Sequence, residues 1–139
     1  MITLLLMTHM MTLSGPLETV EGTVDPATPR AAREADYYQA VNIPVPSGIV
    51  LEVGGLAVGP GPGEVYASTR RGDIWKIEDA YGQSPRFTLF SDGLQEPLGL
   101  LWKDDWLHCV QRGELSRLRD EDGDGRADVL ETLCDDWTI

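Results

Sequence analysis

The sequence has few cysteines, few basic residues and no long apolar run. Cys109 and Cys134 are its two cysteines, so it has neither a disulfide framework nor a C-x-x-C-H motif for haem attachment. Lys and Arg number 11 against 23 Asp and Glu, a net charge of −12, which argues against nucleic acid and anionic membranes as partners. No apolar stretch approaches the roughly 20 residues of a transmembrane helix. The charge balance favours cations as ligands.

The acidic residues are concentrated near the C-terminal end. Residues 114–139 contain nine Asp and Glu but three Arg, so half of the net charge lies in under a fifth of the chain. The 15 Gly and 9 Pro residues are typical of a turn-rich β protein rather than a helical one.

We interpret residues 1–36 as a flexible N-terminal tail and linker. An apolar run ends at Met7 and is preceded by no basic residue, so it is a weak secretory signal. The rest of this segment is acidic and contains proline. Residues 29–40 fit either a short helix or, from Tyr37 onward, a strand, and the pattern leaves this choice open.

A repeat of about forty residues begins at Gly55. Its three matches, at offsets of 41 to 44, are Gly55-Leu56 with Gly99-Leu100, Arg71-Gly72 with Arg112-Gly113, and Thr88–Asp92 with Glu131–Asp135. The offset changes in the turns, where structural repeats accept insertions and deletions.

Each repeat divides into four short strands separated by turn residues. The first repeat predicts strands at Gly54–Val58, Glu64–Thr69, Asp73–Glu78 and Arg86–Ser91. The second predicts strands at Leu98–Trp102, Trp106–Gln111, Glu114–Arg119 and Val129–Cys134, and one more strand is expected around Ile49–Val53. Four antiparallel strands in about 40–45 residues are typical of a β-propeller blade, and the alternative is a pair of unrelated hairpins in a small sandwich.

We therefore predict an all-β fold, with two four-stranded antiparallel blades of an incomplete β-propeller. Residues 37–139 form the partial propeller, with the first blade at about 54–91 and the second at about 97–134. A closed propeller needs 4–8 blades. We therefore expect this chain to be part of a longer protein whose missing blades are its partners.

The loop DEDGDGRADVLE matches a calcium-binding pattern, D-x-D-x-[DN]-G-x5-E. Alternate carboxylates on a tight turn converge on one point, and hard oxygen ligands suit Ca²⁺. The predicted metal ligands are Asp120, Asp122, Asp124, the carbonyl of Arg126, Asp128 and Glu131. The flank before the loop looks like a strand rather than a helix, which would let Glu131 point away and Asp128 ligate directly. The alternative is a solvated acidic turn without an ion.

Other side chains have simpler interpretations. In a propeller, the turns between second and third strands share one rim with the linker Asp92–Pro97, and the acidic loop lies on the opposite rim. Arg71 and Arg112 on the first rim form either an anion-binding pair or, as we favour, turn residues paired with acids such as Asp92 or Glu96. We interpret His108 as structural.

Two further residue types carry predictions about packing. A strand separates Cys109 from Cys134, which places them roughly 9.5 Å apart and beyond disulfide reach. We therefore expect two free thiols. The four tryptophans, which bury the largest area per residue, are expected between blades.

Three runs carry a resemblance to a known family: GLAVGPGPGEVYASTRRGDIWKI, GLQEPLGLLW and QRGELSRLRDEDGDGRAD. Over residues 37–137 they resemble the start of the six-bladed propeller of sorbosone/glucose dehydrogenase-like quinoproteins, in particular the planctomycete membrane-bound dehydrogenase group. The resemblance implies a periplasmic or extracellular location. In the whole protein it implies oxidation of a sugar or alcohol with pyrroloquinoline quinone (PQQ), which passes electrons to a haem outside this segment.

No quinone-binding or catalytic motif of that family falls on a residue of this chain, so we assign no catalytic residue. The predicted function is part of a PQQ-dependent dehydrogenase-like propeller with a structural calcium-binding hairpin, inactive by itself. The alternatives are a non-catalytic, calcium-stabilised propeller that binds protein or glycan, and a free-standing calcium-binding β module.

Overall fold

The computed structural model describes residues 2–7, Arg33 and residues 36–137. Within them the chain forms ten β-strands and no α-helix, which confirms the all-β prediction. The strands are β1 (Ile2–Met7), β2 (Tyr38–Ile43), β3 (Val53–Val58), β4 (Val65–Thr69), β5 (Ile74–Glu78), β6 (Arg86–Ser91), β7 (Gly99–Lys103), β8 (Trp106–Val110), β9 (Leu115–Arg119) and β10 (Val129–Cys134).

The described part of the chain divides into two compact units, one that ends at Asn42 and one that begins at Ile43. Strands β1 and β2 pair in a two-stranded sheet. Strand β2 confirms the strand interpretation of the residues after Tyr37, whereas most of the helical alternative lies outside the described residues. We interpreted residues 1–36 as a flexible tail and linker, and the structure has strand β1 within this segment. Apart from β1, Arg33 and Asp36, the segment lies outside the described residues.

The second unit contains two antiparallel four-stranded sheets. The first sheet has the order β3-β4-β5-β6, and the second has the order β7-β8-β9-β10. Every predicted strand of the two repeats is present, with ends displaced by at most one residue. The extra strand expected around Ile49–Val53 is wrong, because the residues before β3 make a turn in which the Ile49 N–H donates to the carbonyl of Pro46.

The two sheets share one register, including a bulge at the same place in the fourth strand. In the first sheet Ile74 pairs with Ser91 and Trp75 with Leu89, so Phe90 is the extra residue. In the second sheet Leu115 pairs with Cys134 and Ser116 with Thr132, so Leu133 is the extra residue. The two bulges are 43 positions apart, which is the offset of the sequence match. Because bulges are specific local features, their equivalence supports a true structural repeat.

The two sheets pack face to face around one apolar core. The first sheet contributes Tyr66, Ile74 and Phe90, and the second contributes Leu107, Cys109 and Leu118, all at most 2% exposed. Rings connect the two layers, since Tyr66 stacks on Trp102 with centroids 5.2 Å apart and meets Phe90 edge-on at 5.0 Å. Each fully buried large side chain stabilises the fold by about 1.5–3 kcal/mol, so this core is the main link between the repeats.

Glycine permits the closest approach between the sheets. A Cβ atom at Gly55 would collide with the carbonyl of Leu98, the residue before β7. Gly54 is similarly close to the carbonyl of Pro97, at 2.7 Å. The Gly54-Gly55 pair thus lets the first strand of one sheet lie directly against the first strand of the next.

Candidate functional site

The acidic loop, residues 120–128, connects β9 to β10 and rests on the first sheet. The Ala127 N–H donates to the carbonyl of Phe90 in β6 at 2.8 Å, and the Asp128 N–H donates to the carbonyl of Arg119 at 2.9 Å. Gly125 lies near the Thr88 methyl group, 3.4 Å from the position its Cβ would take. One strand of the first sheet therefore supports a loop of the second sheet.

Two glycines give the loop its tight course. Gly123 and Gly125 have φ angles of 79° and 92°, in the left-handed region that residues with a Cβ rarely adopt. Their N–H groups donate to the two oxygens of Asp120, at 2.7 and 2.8 Å. The carboxylate at the first loop position is thus fixed from two sides by the backbone that follows it.

Three aspartates converge in this loop. Asp120, Asp122 and Asp124 each place a carboxylate oxygen within 4.8 Å of the other two. Asp122 accepts the N–H of Asp124 at 3.0 Å, and Asp124 accepts that of Arg126 at 2.8 Å. Three carboxylates this close repel one another in the absence of a cation, and their oxygens are ligands that Ca²⁺ prefers. The alternating spacing predicted from the sequence therefore produces the expected cluster.

The side chains of Asp128 and Glu131 are not part of this cluster. One oxygen of Asp128 accepts the N–H groups of Glu121 and Asp122, at 2.7 and 3.3 Å. Glu131 lies within β10 and forms an ion pair with Arg117 at 2.6 Å. Arg126 is exposed. The structure thus brings together the first, third and fifth loop positions and places the side chain of the twelfth on the sheet.

The acidic loop also acts electrostatically on the first sheet. Burial and then the Glu64 carboxylate hold the pKa of the Tyr66 phenol far above its ordinary value, and Asp120 shifts it in the same direction. Tyr66 stays protonated at any physiological pH as a result. A cation bound at Asp120 would reduce the negative field at this buried phenol.

On the predicted rim opposite the acidic loop, backbone hydrogen bonds join the linker between the sheets to the turns after β4 and β8. The Leu94 N–H donates to the carbonyl of Gly72 at 3.1 Å, and the Arg112 N–H donates to that of Gln95 at 2.9 Å. Among the ion pairs of the described residues, none joins Arg71 or Arg112 to Asp92 or Glu96, so the pairing that the sequence favoured is not formed. Both arginines are exposed.

Gln111 organises this rim, a role that we did not predict from the sequence. Gln111 is 6% exposed, and its Oε1 accepts the Gln95 N–H at 2.7 Å. Its Nε2 donates to Glu114 at 2.8 Å and to the Ser116 hydroxyl at 2.7 Å. The linker is thereby fixed to the second sheet through a buried amide. A polar residue at the end of an apolar strand was the available signal.

The cysteines are both free, as predicted, and differ in environment. Burial, followed by the nearby Glu114 carboxylate, raises the pKa of the Cys109 thiol to about 12. Since the thiolate is the reactive form, Cys109 is unreactive at neutral pH. Cys134 is partly exposed at the end of β10.

His108 and Trp106 lie on the face of the second sheet that points away from the first. His108 lines an apolar cavity of about 280 Å³ with Leu101, Val110 and Leu115. Its Nδ1 is buried and has no hydrogen-bond partner among the described residues. Trp106 is covered by the guanidinium groups of Arg117 and Arg119. Of the four tryptophans, Trp102 fills the interface between the two sheets, as expected.

The chain has no match among known proteins that would identify it. No protein-family model matches the sequence, and neither a curated protein nor a solved structure is significantly similar to it. Within the described residues there is no helix long and apolar enough to cross a membrane.

Proposed function

We propose that the acidic loop binds Ca²⁺ and that the ion is a structural part of this repeated β module. The observation that supports the proposal is the convergence of Asp120, Asp122 and Asp124, with one oxygen of each within 4.8 Å of the others. Their alternating spacing, two left-handed glycines and all-oxygen chemistry are those of a calcium loop.

The three aspartates supply the first ligands, and the carbonyl of Arg126 supplies the next. Asp128 lies at the ninth position of the loop and completes the shell either directly or through water. Glu131 stays with Arg117, since the ion pair would have to break for it to reach the loop. This arrangement differs from a helical calcium hand, whose twelfth position is a bidentate ligand.

The bound ion stabilises the contact between the repeats. The loop is hydrogen bonded to β6 through Ala127 and Phe90, so an ion that orders the loop also holds the second sheet on the first. Binding to the folded state alone adds about 2.7 kcal/mol of stability at a hundredfold excess of Ca²⁺ over Kd. The thermal midpoint is therefore expected to rise with calcium concentration.

Calorimetric titration of the chain with Ca²⁺ tests the proposal. The variant with Asp122→Asn and Asp124→Asn keeps the loop's shape and removes two charges. We expect it to bind at least about tenfold more weakly, because ligand charge tunes calcium affinity. Asp104→Asn with Asp105→Asn removes the same charge from the exposed turn between β7 and β8 and serves as the control. Absence of binding by the wild-type chain would overturn the proposal.

We further propose that the two sheets are consecutive repeats of a β-propeller, on the basis of their common register and bulge. The PQQ-dependent oxidation of a sugar or alcohol, and the periplasmic or extracellular location, rest on the resemblance and stay predictions about a larger protein. For these 139 residues we expect no quinone-dependent reduction of a dye with glucose or simple alcohols. Dye reduction above that of free quinone would show that two repeats are sufficient.

A further inference from the structure

The two sheets have equivalent faces, and one of these faces is buried in the first sheet but exposed in the second. We call the outer face of the first sheet the face that packs against the second sheet. The outer face of the second sheet is the equivalent face, which points away from the first sheet. On the first sheet this face is covered by the second sheet, and on the second sheet it is open. The pairs Ser68–Ile74 and Val110–Leu115 occupy the same register positions, as do Tyr66–Lys76 and His108–Arg117.

The equivalence extends to the fourth strand through the common bulge. Phe90 of β6 corresponds to Leu133 of β10, since each is the residue skipped by its ladder. On the first strand, Ala57 corresponds to Leu101, because Ala57 pairs with Tyr66 and Leu101 pairs with His108. The outer face of the second sheet is therefore a repeat of the surface on which the second sheet itself packs.

Several side chains of this face are apolar although they are exposed. Leu101, Val110 and Leu133 are 56%, 44% and 44% exposed, whereas Phe90 of the covered face is 1% exposed. Exposed apolar residues that are contiguous mark interaction surfaces. The cavity of about 280 Å³ lies on this face, between β7, β8 and β9.

Two polar atoms on the open face point to the same conclusion. His108 Nδ1 and Arg119 Nε are buried and make no hydrogen bond within the described residues. A buried polar atom without a hydrogen-bond partner destabilises the fold. On the first sheet, Tyr66 at the position of His108 interacts with Glu64 and Asp120, and Asp120 comes from the loop of the sheet that covers it. An acidic loop arriving in the same way over the second sheet would meet His108 and Arg119.

We infer that the outer face of the second sheet binds a further four-stranded sheet of this same repeat, which packs as the second sheet packs on the first. Its inner face carries an aromatic side chain at the position of Trp102, which stacks on His108 as Trp102 stacks on Tyr66. Its acidic loop lies over β10, next to Arg119. The inference rests on the proposed repeat and is independent of calcium binding.

The test extends the full chain by one repeat. A second copy of residues 92–134 is inserted after Cys134, where the register places the next linker. Binding predicts a folded third sheet, a His108 ring whose Nδ1 NMR signal shifts, and a several-fold loss of fluorescence of a dye that reports exposed apolar surface. The matched control is the same extended chain with alanine in place of the added copy of Trp102. An added repeat that stays unfolded while the first two remain native would overturn the inference.

A second experiment needs no extension. In the 139-residue chain, Leu101→Glu with Val110→Glu should abolish dye binding and leave the thermal midpoint within a few degrees, since both side chains are open. Unfolding of this variant would show that the face belongs to the chain's own core, contrary to the inference.

Sedimentation of the wild-type chain as a dimer that Val110→Glu dissociates would identify the occupant as a second copy, and would also overturn it. Calcium titration of both chains separates these results from failure of the metal proposal.

Discussion

The two sheets are built on one backbone plan but differ in how many faces they bury. Strand β4 of the first sheet is buried at every residue, whereas the equivalent strand β8 of the second sheet leaves His108 partly exposed and Val110 exposed. Equivalent positions thus meet different environments, Phe90 in the core and Leu133 on the surface. The comparison shows that the repeat determines strand register and bulge position, while the neighbouring layer determines how much each side chain contributes to stability.

The largest expected difference is between the two bulge residues. Phe90→Ala should destabilise the chain by about 3–5 kcal/mol, because it removes a ring that contacts Tyr66 and leaves a cavity between the sheets. Leu133→Ala, at the equivalent position of the open face, should cost about 0.5 kcal/mol. Chemical denaturation with tryptophan fluorescence measures both. Similar costs for the two variants would mean that the faces are not different in burial.

A smaller difference is expected between the equivalent turn glycines, Gly72 and Gly113. Gly72 has a φ of 98°, and a Cβ there would lie 2.5 Å from the carbonyl of Leu94 in the linker. Gly72→Ala should cost about 1–2 kcal/mol for the left-handed backbone alone. Gly113 does not have a left-handed φ, and the nearest atom to its Cβ would be 4.0 Å away, so alanine there should be neutral or stabilise by about 0.5 kcal/mol. Thermal midpoints of the two variants distinguish these outcomes.

The two thiols should differ in reactivity, because Cys109 is buried in the core and Cys134 is partly exposed at its edge. In the native chain, a disulfide reagent should react with one thiol, that of Cys134. Cys109 should react only after the chain is unfolded. The pKa of Cys109 is raised to about 12 in the folded chain, so its protonated thiol contributes fully to stability below the pKa of the unfolded thiol. This contribution is lost as the pH rises from the unfolded pKa through the folded pKa.

Denaturation at about pH 8 and about pH 10.5 measures this effect, since the pH change crosses the ordinary thiol pKa. The Cys109→Ala chain should lose less stability between the two than wild type, and the Cys134→Ala chain should behave as wild type. Equal losses in all three would assign the alkaline instability to other groups.

Much of the fold was predictable because its signals are local. Residues that favour strands, such as Val, Tyr and Thr in Val65–Thr69, form short runs, and Gly, Asp and Pro mark the turns. In the two-residue turn between β7 and β8, Asp104 and Asp105 both adopt positive φ, at 52° and 61°. Aspartate tolerates this conformation better than other residues with a side chain. Strand ends were consequently right to within one residue.

The failures concern contacts between residues distant in sequence. The rim arginines were expected to pair with acids, but ion pairing of exposed side chains depends on rotamers and solvent rather than on spacing. Gln111 was missed because its role requires the linker to pass within hydrogen-bond distance. Likewise, the motif predicted a convergence of carboxylates, but the ion pair that holds Glu131 on the sheet was not predicted, since it depends on Arg117 in the neighbouring strand.

The smallest expected effect is that of Glu131→Gln, which tests whether the twelfth loop position ligates calcium. Glu131 forms its ion pair with Arg117 on a partly exposed face, so its neutralisation should cost about 0.2–1 kcal/mol. The calcium Kd should change by less than about twofold, because the carboxylate is not a ligand in the proposed shell. Calorimetric titration beside the Asp122→Asn, Asp124→Asn variant gives both comparisons. A loss of affinity as large as in that variant would show that calcium draws Glu131 away from Arg117, and that the loop closes as a complete twelve-residue calcium site.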